Sequence, residues 1–188
     1  MSLSILIPTV TGREQSFNAL VAELERQAVE YDVEIKTCCD NKEMSIGAKR
    51  QLLLESATKT HCVFIDDDDS VPADYIATVW PQLTFDGIGY IEQITGGKKA
   101  AHSQDYDGWY SNRDGYDYVR CLFCKDVIRT SIALQVGFAD IRYGEDYDFS
   151  IRLLKSGLIR THTFVPKVMY HYSMPQLNSQ QFKARYGI

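Results

Sequence analysis

The chain has 188 residues, of which 45% are hydrophobic and 24% charged, and 25 acidic against 20 basic side chains leave a net charge of −5. That length suits one domain with a real core, and the acidic balance argues against nonspecific attraction of the whole chain to nucleic acid or anionic membrane. No apolar run is long enough to span a bilayer and the N-terminus lacks the basic opening of a secretory signal, so a cytoplasmic protein is expected.

Residues 3–7, Leu-Ser-Ile-Leu-Ile, closed by Pro8, read as a first strand. From about Arg13 to Tyr31 the positions Phe17, Leu20, Val21, Leu24 and Ala28 follow helical spacing. Val33 to Thr37 is a second strand, and Asp40-Asn41 opens a loop. Ser45 is placed to cap a helix running through Lys49, Arg50, Leu53 and Ala57. Cys62 to Ile65 is a short buried strand that ends in four carboxylates, Asp66 to Asp69, and Pro72 permits a helix after them. The order β-α-β-α-β is the signature of a parallel sheet with crossover helices. Ligands of such sheets sit just beyond the carboxyl ends of the strands. Four adjacent anions there repel one another unless something positive joins them, and a hard divalent cation, Mg²⁺ or Mn²⁺, carrying a phosphate-bearing ligand is the natural partner. A solvated acidic turn is the plainer alternative.

Further along, a helix ends near Pro81, Ile88 to Thr95 is a strand, and Gly96-Gly97 turns the chain. Residues 104–118 mix aromatics, aspartates and glycines without a period, which suits a long mobile surface loop. Tyr118 to Cys124 reads as a strand, with Cys121 and Cys124 as buried thiols rather than zinc ligands, since no second CxxC is present. The five cysteines read as reduced thiols. Lys125 to Leu134 is a short helix. After Gly144, the positions Tyr147, Ile151, Leu154 and Leu158 define an amphipathic helix with Glu145 and Asp146 in its first turn, where the dipole favours anions. Two closing strands, 159–165 and 167–172, are joined at Pro166, and 173–188 form a tail or lid after a single domain spanning 1–172.

Four features in this order resemble a family-2 glycosyltransferase with the GT-A fold, of the small type that some viruses encode. They are Ile5-Leu-Ile-Pro-Thr9; Phe64-Ile-Asp-Asp-Asp-Asp69 followed by Pro72-Ala-Asp-Tyr75; Gly144-Glu-Asp146 before a helix containing Arg152; and His171 on a late strand. The resemblance implies an α/β fold: a single Rossmann-like domain with a mixed, mostly parallel central sheet flanked by helices. It implies a metal-dependent enzyme that moves a sugar from a nucleotide-sugar donor, such as a UDP-sugar, to an acceptor hydroxyl with inversion. Asp146 would be the catalytic base, with Glu145 beside it. Pro8, Thr9, Asp40, Lys49, Arg50, Asp66 and Asp67 would bind the donor, although the usual continuation after the second-strand aspartate is replaced here by Asn41-Lys42. Arg13 reads as a solvated helix residue more readily than as a donor contact. Asp68, Asp66 and His171 would hold Mn²⁺ or Mg²⁺, His171 as a neutral imidazole. Trp109 and Tyr110 would meet the acceptor, a glycan or a hydroxylated DNA base, because sugars and bases both pack on aromatic faces. The small size leaves little room for an added acceptor domain, so a partner or a second copy is expected to complete the site.

Rival readings come from the same residues. Asp66-x-Asp68-x-Ser70 resembles the nucleophile segment of haloacid-dehalogenase-like phosphatases, but that motif ends a first strand, and here two strands precede it. A nucleotidyltransferase would need a glycine-rich basic signature that Thr9-Val-Thr-Gly-Arg13 does not match. An EF-hand calcium loop fails because Val71 and Ala77 stand where glycine and glutamate are required. A non-catalytic domain that binds sugar nucleotides is the last alternative.

Overall fold

The computed structural model describes residues 1–173. Strand β1, Leu3–Val10, lies between β2, Val33–Asp40, and β3, His61–Phe64, and pairs in parallel with both. Helices α1, Glu14–Ala28, and α2, Ile46–Ser56, make the crossovers. Successive strand residues point to opposite faces, so β1 feeds two cores. Leu3, Ile5 and Ile7 pack with Leu20 and Leu24 of α1, while Leu6 packs with Leu53 and Leu54 of α2. Burial on both faces is why β1 and β3 read as continuous apolar runs rather than alternating ones. Each such side chain contributes roughly 1.5–3 kcal/mol when removed from water. Ser45 does cap α2, its hydroxyl accepting from the Ala48 N–H at 3.0 Å.

The second half differs more from expectation. Helix α3, Tyr75–Val79, and a 3-10 turn at Trp80–Gln82 lead to β4, Gly87–Ile94, then β5, Lys99–His102. Residues 104–118 are not one long loop. They contain most of a hairpin, β6, Trp109–Arg113, and β7, Tyr116–Arg120, joined by Asp114-Gly115 at φ 54° and 82°. Two residues with positive φ make the primed turn whose twist matches a hairpin. Lys125 stands outside any helix; β8, Val127–Arg129, precedes α4, Thr130–Val136. Helix α5 is Glu145–Ser156. The two closing strands are one, β9, His162–Tyr172. Tyr90 pairs with Val165 and Ile91 with Val168, so Pro166 sits in a bulge, where a missing N–H costs no ladder bond.

The strand order is β2-β1-β3-β8-β4-β5-β7-β6, with β9 on β4. The sheet is mixed, as expected, but parallel pairing does not dominate. Four of the eight pairings are parallel and four antiparallel, because β8 runs against both β3 and β4, β5 against β4, and β6 against β7. Residues 174–188, most of the expected tail or lid, lie outside the described residues.

His102, on β5, is fully buried, with Nδ1 3.1 Å from Asp126 and Nε2 3.6 Å from Glu92. Burial opposes its charge, but Asp126 and Glu92 outweigh that and raise its pKa above 6.5. A raised folded value stabilises below the unfolded pKa and is lost as pH rises through the folded one. The stability advantage of the native chain over His102→Gln, read from urea midpoints, is therefore expected to hold steady below pH 6.5 and to decline above it.

Candidate active site at the carboxyl ends of β1 and β3

An open cavity of about 540 Å³ lies where β1 and β3 end, with Thr9, Arg13, Arg50, Asp66 to Asp68 and Glu145 among its walls. This is the ligand position of an open α/β sheet. The aspartate cluster is not a bare patch of negative charge. The Asp66 carboxylate accepts from Arg50 Nη2 at 2.8 Å and lies 3.1 Å from Lys125 Nζ. Burial works against its ionisation, yet these two cations hold it well below the usual carboxylate range. Asp67 accepts from the Thr9 hydroxyl and from Arg13, each at 2.6 Å. Asp69 accepts from Lys125 at 2.8 Å, the Tyr170 hydroxyl at 2.6 Å and the Ser173 N–H at 2.8 Å. Asp68 shares Arg13 at 3.0 Å, and burial beside Asp66 and Asp67 pushes its pKa up. Arg13, read from sequence as a solvated helix residue, therefore bridges two of the aspartates.

Helix α2 supplies the floor. Lys49 is buried and donates to the Thr9 carbonyl at 2.6 Å and to Asp40. Asp40 also accepts from the Met44 N–H at 2.7 Å. It thus anchors Lys49 and the following loop, and it does not line the cavity. Arg50, 4% exposed, spans from Asp66 to Glu145, its Nε lying 3.2 Å from the Glu145 carboxylate, while its buried Nη1 makes no hydrogen bond among the described residues. The cavity's two acidic motifs are joined through this one side chain, which reaches Glu145 from 95 positions away in the chain.

Across the cavity, Gly144 caps α5 at φ 80°, a left-handed conformation that glycine adopts without strain. The turn sends Glu145 and Asp146 to different surroundings. Glu145 is buried against Arg50, and burial raises its pKa. Asp146 is half-buried and faces Arg120, whose Nη1 is 3.5 Å away. Arg120 lies 3.6 Å from the Phe123 ring centroid and 4.9 Å from that of Trp109.

No family model and no curated protein sequence matches the chain. Solved structures do match. S. aureus TarS 1-349 in complex with UDP-GlcNAc superposes with a TM-score of 0.66 at 13% identity, over 95% of this chain and 60% of that one. The same protein in complex with UDP gives 0.62 at 13% identity, over 98% and 63%. A longer TarS structure gives 0.61 at 12% identity, over 93% and 37%. The fold resembles that of a GT-A glycosyltransferase. The chain spans about 60% of the length of TarS 1-349. These bacterial matches lend nothing to the expected virus-encoded type.

Against this GT-A-like frame, Pro8, Thr9, Lys49, Arg50, Asp66, Asp67, Asp68 and Glu145 come together around one cavity. Asp146 stands next to it on α5. Trp109 reaches this neighbourhood through Arg120, whereas Tyr110 pairs with Val119 and points to the other face of the hairpin. His171 lies on β9, where its backbone bridges Ser70 through bonds of 2.8 and 3.1 Å and so ties the aspartate loop to the sheet. Among the described residues no three His, Cys, Asp or Glu side chains are grouped to hold a metal. Three of the aspartates already have cationic or hydroxyl partners of their own. Asp68 faces the cavity with one shared arginine, and a single carboxylate plus substrate phosphates is a common Mg²⁺ shell. The donor set therefore fits a cation delivered with a diphosphate. The phosphatase reading gains no support, since Asp66 is held by two cations and ends a third strand.

Sequence reasoning missed Lys125, Arg120 and Tyr170. Lys125 is buried among Asp66, Asp69 and Glu92, with its ammonium 4.6 and 4.3 Å from the ring centroids of Tyr170 and Tyr172. No local pattern marks it, because its partners come from β3, β4 and β9. Among the described residues no helix is long and apolar enough to cross a membrane.

Proposed function

We propose that the chain is a metal-dependent glycosyltransferase that moves a sugar from a nucleotide-sugar donor, a UDP-sugar, to an acceptor hydroxyl, with a glycan the favoured acceptor over a hydroxylated DNA base. The observation that carries this is Arg50, which joins the aspartate cluster to Glu145 at the mouth of a GT-A-like sheet. The complexes of TarS with UDP-GlcNAc and UDP support the donor class.

In this reading the nucleotide lies over Pro8 and Thr9. Asp68 would hold Mn²⁺ or Mg²⁺ on the donor side of the cavity, with Asp66 and His171 the further candidate ligands. The bound cation supplies charge stabilisation for the departing nucleoside diphosphate. Arg13 and Arg50 add positive charge on the same wall, worth more where water is excluded. Asp146 accepts the proton of the acceptor hydroxyl as its oxygen bonds to the anomeric carbon and the bond to the diphosphate breaks. Attack from the face opposite the leaving group inverts the anomeric centre. Glu145, fixed by Arg50, sets the first turn of α5 and so the position of Asp146.

Thermal unfolding with UDP and a panel of UDP-sugars, with and without Mn²⁺, tests the donor site. Ligand at a hundred times its Kd should stabilise the native state by about 2.7 kcal/mol. The expected result is a midpoint rise that needs Mn²⁺ and is lost in Asp68→Ala. No rise with any nucleotide overturns the proposal. A rise without turnover of donor in the presence of acceptors favours a non-catalytic binding domain.

A further inference from the structure

We infer that the acceptor is a neutral oligosaccharide chain, laid along the face of the β6–β7 hairpin that carries Trp109 and Tyr118, with the reacting sugar beside Asp146. This rests on the glycosyltransferase reading and names the acceptor class for that site.

Strand register defines the face. Trp109 stands opposite Arg120, and Ser111 opposite Tyr118. Residues directly opposite in an antiparallel pair share a face, so these four side chains form one surface. Arg120 continues that surface to Asp146, 3.5 Å away, and its guanidinium lies 4.9 Å from the Trp109 ring centroid. The guanidinium is buried, and its Nε has no hydrogen-bond partner among the described residues. The indole is therefore held next to the proposed base while 54% of Trp109 faces solvent. All five residues of β6 are exposed, so Trp109 contributes little to the core. Tyr118 follows at 6.3 Å, ring to ring at 84°, and Lys98 covers one side of it, its ammonium 3.2 Å from the Tyr118 hydroxyl and 5.5 Å from the ring centroid. Trp109 and Ser111, opposite Tyr118, are two strand positions apart, about 7 Å, so the platforms extend past a single ring.

Charge chooses between the polymers that stack on aromatic rings. Residues 98–120 carry Lys98, Lys99, Arg113 and Arg120 against Asp105, Asp107, Asp114 and Asp117, an even balance. A single-stranded nucleic acid is tracked by a positively charged groove, which this hairpin does not provide. A neutral sugar needs apolar ring faces and nearby hydrogen-bonding groups for its hydroxyls, and the hairpin offers both.

The test titrates the full chain with maltohexaose, cellohexaose, xylohexaose and chitohexaose, and separately with oligodeoxythymidine, reading indole fluorescence and calorimetric heat. At least one hexasaccharide is expected to bind, and more tightly than its own monosaccharide. Trp109→Ala and Tyr118→Ala should each weaken it about tenfold, while Tyr110→Ala on the opposite face changes it less than about twofold. Failure of every hexasaccharide to bind, binding of oligodeoxythymidine instead, or equal losses in Tyr110→Ala and Trp109→Ala overturns the inference. The UDP-dependent midpoint shift, measured on the same samples, shows that each variant is folded. A retained shift without glycan binding removes this inference alone, whereas loss of the shift in the native chain removes the glycosyltransferase reading beneath it.

Discussion

Asp146→Asn is expected to lower sugar transfer by about 10²–10⁴-fold, the usual range for a positioned general base, while leaving the UDP-dependent stabilisation unchanged. The substitution keeps the shape of the side chain, and its amide oxygen can still face Arg120, the neighbour 3.5 Å away. What it removes is the capacity to take a proton. Asp146 is half-buried, does not line the cavity and makes its ion pair with Arg120 outside the aspartate cluster, so donor binding should change little. Single-turnover transfer from a donor that stabilises the protein is the measurement. More than about a tenth of native activity in Asp146→Asn would sink the assignment of the base. Glu145→Gln makes the contrast, because Glu145 pairs with Arg50 inside the cavity, and its loss should weaken donor binding and turnover together.

Lys125→Met should destabilise the protein by about 3–5 kcal/mol, the cost of removing one partner from a buried ionic cluster. Lys125 is 7% exposed and touches Asp66, Asp69 and Glu92. Burial disfavours its charge, but those three carboxylates raise its pKa well above 10.5. Without the ammonium, among the described residues Asp69 keeps the Tyr170 hydroxyl and the Ser173 N–H as partners, and Asp66 keeps Arg50. Urea unfolding at neutral pH gives the answer directly. Lys125→Arg retains the charge but presents a planar fork where a compact ammonium sits between two rings, so partial recovery is expected. A loss below about 1 kcal/mol in Lys125→Met would mean that other partners carry the aspartate cluster.

These two residues show where sequence reading reached and where it stopped. Asp146 stands beside a glycine at the head of an amphipathic helix, and both marks are local. Lys125 follows a buried CxxC and looks like the start of a helix; only the approach of β3, β4 and β9 reveals it as the counter-charge of the aspartates. Asp40 shows the converse. Its place at the end of a second strand suggests a ligand contact, and the structure shows it paired with Lys49 from the next helix, a partner that no local pattern marks.

The hairpin separates the two levels in the same way. Asp114-Gly115 is a strong turn signal, yet the flanking residues Trp109 to Arg113 are exposed on an edge strand and carry no apolar alternation to announce a β-strand. Trp109 and Tyr110 are neighbours in the chain, and the sequence alone groups them as one acceptor contact. The two-residue period of a strand sends them to opposite faces, and only Trp109 joins Arg120.

The first half of the chain, through β3 and its acidic end, was determined by the sequence itself, because apolar period, a serine cap and a proline act over a few residues. Helix α5 and its acidic first turn were legible for the same reason. The merging of two expected strands into β9, the antiparallel insertion of β8 and β5, and the sharing of Arg13, Arg50 and Lys125 among the four aspartates were decided by tertiary structure. Those features depend on which distant segments meet, and the energy of a buried carboxylate is set by what lies within a few ångströms rather than by its neighbours in the chain.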